Sequence, residues 1–143
     1  MSRKTTFGGA ALAFAASAAL VFTSVAPAAG TATITISHQT RGCHMWQLGH
    51  ANPKPSLSVT LRVGTVLRFV NNDIMPHRLI QQAGPKLSLR HQSMNRPSAA
   101  TSVKLTRKGV YRFTTKAGED YPSMSSMKTI GEDYVLHLTV HVT

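Results

Sequence analysis

Acidic residues are scarce: the 143-residue chain carries five Asp and Glu against sixteen Lys and Arg. Four of the five lie in two copies of one tetrapeptide, Gly118-Glu119-Asp120-Tyr121 and Gly131-Glu132-Asp133-Tyr134, which read as exposed turns. Exposed turns are poor settings for tuned general acids. No Gly-x-Ser-x-Gly and no His-Glu-x-x-His run occurs either, so nothing argues for an enzyme. Cysteine is nearly absent. The single Cys43 excludes an internal disulfide. Aromatics are few and spaced as core, and the basic residues are scattered along the chain rather than clustered, so nucleic-acid binding is not expected. No stretch holds a sustained amphipathic-helical period, and that points to an all-β chain.

The one long apolar run stands at the start. Arg3 and Lys4 precede Ala10 to Phe22, and Ala26-Pro27-Ala28 supplies a small-x-small cleavage site, so residues 1–28 read as an export signal and 29–143 as one domain. The run is short and Ala-rich for a span, and no transmembrane anchor is expected after processing. No cysteine directly follows the cleavage region, which argues against a lipid anchor. The expected location is secreted or periplasmic. After cleavage, fourteen basic residues face five acidic ones, leaving +9. That excess suits an acidic redox partner protein or an anionic envelope, or serves solubility alone. In an oxidising compartment a lone Cys43 is a buried inert thiol, an intermolecular link or a metal ligand.

What is present is alternation. Ala32 to Ile36, Met45 to Leu48, Leu57 to Leu61, Val66 to Val70, His77 to Gln81, Thr101 to Leu105, Gly109 to Thr115 and Tyr134 to Val142 read as short strands. Gly84 to Ala100 and Lys116 to Asp133 read as long loops, the first with room for a short helical turn. Short strands separated by Gly and Pro turns argue a Greek-key β-sandwich, expected to be antiparallel.

The central stretch runs from Gly64 to Gln81. A strand ends at Asn71-Asn72-Asp73, and Pro76 fixes its own φ and pushes Met75 to extended backbone, so His77 stands where a rigid turn meets a new strand. Strand, Asn-rich turn, Pro-His, strand resembles the segment carrying the first histidine ligand in cupredoxins, the copper-binding β-sandwich proteins. Gly109-Val110-Tyr111-Arg112-Phe113 resembles the strand running into their copper loop. The resemblance implies a cupredoxin-like sandwich with His77 as a copper ligand. It also departs from the family: Thr115 stands where the cysteine is expected, no histidine follows, and only Met124 and Met127 remain in that loop.

The missing thiolate and second imidazole are expected from the first loop. Up one strand and down the next, the Gly42-Cys43-His44 turn shares an end with Met75-Pro76-His77. Cys43, His44 and His77 with a thioether from Met124, Met127 or Met75 would then hold one copper ion, and zinc would accept the same nitrogen and sulfur donors. His38 is an alternative ligand. His137 and His141 lie four residues apart along a strand, about 13 Å, too far to share an ion. The expected role is electron transfer or copper handling. The alternative is a metal-free module that binds a partner protein or the envelope.

Overall fold

Alternating buried and exposed side chains set nine strands in the computed structural model, which describes residues 29–39, 44–117 and 135–143. The expected export signal lies outside the described residues, as do Cys43, Met124, Met127 and both acidic tetrapeptides. The strands are β1 (Thr31–His38), β2 (His44–Leu48), β3 (Ser56–Leu61), β4 (Val66–Asn72), β5 (His77–Ala83), β6 (Ser93–Met94), β7 (Ala100–Lys104), β8 (Gly109–Ala117) and β9 (His137–Val142). No helix occurs among the described residues.

Two sheets form, β2-β1-β4-β7 and β3-β9-β8-β5-β6. Neither is purely antiparallel, which corrects the sequence expectation. β1 runs parallel to β4, with Ile34 opposite Phe69, and β3 runs parallel to β9, with Val59 opposite Val140. Alternation in sequence marks a strand but carries no direction. Parallel neighbours need a long crossover, and the chain provides one between β1 and β4 by sending β3 into the other sheet.

The core is filled from both inner faces, with Ile34, Phe69, Leu79, Tyr111, Phe113 and Leu138 essentially inaccessible. Phe69 bridges the layers. Its ring lies 6.1 Å from Trp46 on β2 and 5.2 Å from Phe113 on β8, both tilted, so three aromatics from two sheets form one contact chain. Val66 is only half-buried at the start of β4, whereas Leu67 beside it is fully buried. Leu136, one residue ahead of β9, is fully buried.

Candidate metal centre

Asn71 builds the turn from β4 into β5. Fully buried, it donates from Nδ2 to the carbonyls of Met75 at 2.8 Å and Met94 at 2.9 Å, and its Oδ1 accepts the Asp73 N–H at 2.9 Å. An Asn side chain that closes backbone two residues on is the usual Asx-turn, here tied also to β6. Asp73 is thereby turned inward. Only 2% exposed, it accepts the Ile74 N–H at 2.7 Å through Oδ1 and aims both oxygens at histidines.

An ionised carboxylate only accepts, so each facing ring nitrogen carries the hydrogen. His77 Nε2–H donates to Asp73 Oδ2 at 2.9 Å, and His38 Nδ1–H donates to Oδ1 at 2.8 Å. His44 Nδ1 lies 3.8 Å from Oδ2. The His44 and His77 rings meet edge to face, centroids 4.7 Å apart. On its other side His77 Nδ1 faces the Thr115 hydroxyl at 3.4 Å, and it can accept there only when it carries no hydrogen. His77 is fully buried, His44 nearly so, and His38 stands 44% exposed.

Burial by itself would raise the Asp73 pKa. Hydrogen bonds from His77 and His38, the His77 charge and the Ile74 N–H outweigh it and hold the group near 2, below its ordinary 3.8. The carboxylate is therefore ionised at any physiological pH. One ligand atom each from His44, Asp73 and His77 lies within 4.8 Å of the other two. Tetrahedral donors at about 2.0–2.2 Å from an ion stand about 3.4 Å apart, and the 2.9 and 3.8 Å separations straddle that value. Two imidazoles and a carboxylate suit copper, zinc and other borderline divalent ions.

Of the residues singled out in the sequence, His44 from β2 and His77 from β5 meet here, and His38 reaches the same carboxylate from β1. Met75 lies in the turn, half-buried, and contributes its carbonyl to Asn71. Cys43, Met124 and Met127 lie outside the described residues. Thr115, the residue standing where the resemblance expects cysteine, does face His77.

Asp73 is the residue that reasoning from sequence missed, because Asn71-Asn72-Asp73 reads as a solvated turn. A signal was there: it is the one acid outside the repeated tetrapeptides, four residues ahead of His77.

The chain is similar to solved cupredoxins. An amicyanin variant in its Cu(I) state is 19% identical over 80% of this chain and 83% of that one, with a TM-score of 0.42. A purple cupredoxin from Nitrosopumilus maritimus is 16% identical over 78% of this chain and 99% of that one, with a TM-score of 0.46. The fold is a two-sheet β-sandwich. A cysteine protease inhibitor from Entamoeba histolytica, 7% identical over 82% of this chain and 100% of that one, scores 0.44. Likeness of this degree says nothing of the site. No family model and no curated protein matches the sequence.

Proposed function

We propose that this is an exported copper-binding protein, holding one copper ion through His44, Asp73 and His77 and serving copper handling rather than electron transfer. The convergence of those three ligand atoms within 4.8 Å carries the reading. Among first-row divalent ions a nitrogen and oxygen site holds Cu(II) most tightly, with zinc as a weaker-binding competitor. Bound copper would supply a one-electron couple. A carboxylate donor favours Cu(II) over the softer Cu(I), and Thr115 on β8 offers a hydroxyl rather than a thiolate. Both features suit holding an ion better than cycling it. Cys43, next to His44 in sequence, is a proposed fourth donor, and Met124, Met127 and Met75 are proposed weak ones. Export would place the protein in the periplasm or outside the cell, where its basic surface would draw an acidic partner protein or the anionic envelope.

One observation favours a metal-free reading: Asp73 already accepts hydrogen bonds from His77, His38 and Ile74. Titration with Cu(II) against a competing chelator, followed by dialysis, separates the two. Retention of one equivalent, with nitrogen couplings from two imidazoles in the electron paramagnetic resonance spectrum, supports the copper site. Loss of all copper on dialysis leaves the cluster as a structural ion pair. An intense visible band that disappears in Cys43→Ser would add the thiolate to the ligand set.

A further inference from the structure

Lys86-Leu87-Ser88-Leu89-Arg90 alternates like a strand yet belongs to neither sheet. Leu87 and Leu89 pack inward against the core, while Lys86, Ser88 and Arg90 are exposed. The segment is held at both ends. Gly84, at φ +100, passes so close to β8 that a Cβ there would lie 2.6 Å from the Val110 carbonyl, so only glycine makes this approach. Gln81 then donates to the Pro85 carbonyl at 2.8 Å and accepts the Leu87 N–H at 3.1 Å. At the far end the Thr101 hydroxyl donates to the Arg90 carbonyl.

β7 runs beside this segment as the last strand of the four-stranded sheet. Just past its end Leu105 donates to the Thr65 carbonyl at 2.9 Å and accepts from the Gly64 N–H at 2.7 Å. Backbone direction alternates in an antiparallel ladder, so Val103 and Thr101 also bond toward β4, and Ala100, Ser102 and Lys104 turn their N–H and C=O groups away from it. No backbone group among the described residues pairs with that outer side. Between the two extended runs lies a slot of about 400 Å³, lined by Lys86, Leu87, Arg90, Ser102, Val103 and Lys104, with Ser88 and Thr106. Three of these are cations and none is an acid. Asp73 is the one acidic residue among those described, and it is buried.

We propose that this slot docks an extended acidic segment of a partner protein, which adds to β7 as a further strand. Main-chain hydrogen bonds to Ser102 and Lys104 would supply affinity, and Lys86, Arg90 and Lys104 would select carboxylates. Leu87 and Val103 in the lining favour a peptide with apolar side chains between its acids over a uniformly charged polymer. A lysine on an edge strand commonly guards against unwanted pairing. Guarding, however, does not require two further cations facing it across a slot. The proposal rests on the basic surface and not on the metal centre, so either can fail alone.

The test uses the full chain and a labelled, end-blocked peptide of alternating Glu and Val, with binding read by fluorescence anisotropy. Saturable binding should weaken at least about tenfold between about 20 and 200 mM salt, as the Debye length shrinks. Reversing charge at Lys86, Arg90 and Lys104 together should cost at least about tenfold. Ser102→Pro removes one outward N–H at a position where an edge strand accepts proline, and should cost about tenfold with the melting temperature little changed. A probe N-methylated at alternate residues removes the same hydrogen bonds without altering the protein, and should bind as weakly. Binding that ignores both Ser102→Pro and N-methylation would overturn the proposal, leaving a charge patch that any polyanion can use. So would a probe that fails to bind saturably at low salt.

Discussion

His77 and His38 both hold Asp73, but from different surroundings. His77 is fully buried and shares Oδ2 with the His44 edge of the cluster, whereas His38 is partly solvated and takes Oδ1. Replacing a ligand removes a donor, while replacing its orienting neighbour only loosens one. His77→Ala should therefore lower Cu(II) affinity at least about 100-fold and His38→Ala about tenfold or less. Competition against a chelator of known affinity gives the ordering, and equal losses would place His38 among the ligands. Thr115 invites a finer experiment. For His77 to offer Nε2 to an ion, its ring hydrogen must sit on Nδ1, where the Thr115 hydroxyl can turn from donor to acceptor. Thr115→Val should cost about tenfold in copper affinity and Thr115→Ser should restore most of it. An affinity unchanged in Thr115→Val would reduce that hydroxyl to a bystander.

At the scale of elements, the β4–β5 turn is a unit whose stability depends on the ionised Asp73. Its pKa is depressed from 3.8 to about 2, so the stabilisation is complete above about pH 4 and is lost as pH falls toward 2. The difference corresponds to about 2 kcal/mol. Denaturant midpoints of the metal-free protein should fall over that window, and Asp73→Asn should flatten the fall. Asn71→Ala, which leaves two carbonyls and one N–H of the same turn without their partner, should cost about 3 kcal/mol at neutral pH. The strands flanking this turn were legible in sequence, because Leu67 and Phe69 on β4 and Leu79 on β5 mark a buried face in an alternating pattern. Pro76 marked the start of β5 equally well. Strand direction was not legible, since pairing β1 alongside β4 is decided by packing across the whole sandwich. Nor was the carboxylate: an Asp after two Asn reads as solvent-facing until Asn71 is seen to turn it inward. Lys86 to Arg90 alternates as a strand should, but no ladder forms, so its pattern records only which side faces the core.

For the whole molecule, β9 holds the five-stranded sheet together. It lies between β3 and β8, so the chain closes its second layer only when residues near the C-terminus arrive beside Ser56 to Leu61. Truncation before His137 should strip both neighbours of a partner and bury no Leu138, Val140 or Val142. The expected result is loss of any cooperative thermal transition, read by circular dichroism; a sharp transition in the truncated chain would show that the other strands suffice. Such distant pairing also predicts refolding in milliseconds to seconds rather than microseconds.

The two imidazoles of the cluster do not sit on equally secure strands. β5 is bonded on both sides, by β8 and β6, whereas among the described residues β2 has β1 as its one strand neighbour and a single bridge, Trp46 with Lys54, on its outer side. Edge strands open locally at lower free energy than the strands inside them. An ion held between the two would thus leave by a sequential route, with His44 swinging away on β2 while His77 keeps its grip. Residence time would then be set by the fraying of five residues rather than by bond strength alone. A partner able to offer a donor during that opening would exchange the ion associatively, faster than dissociation into water.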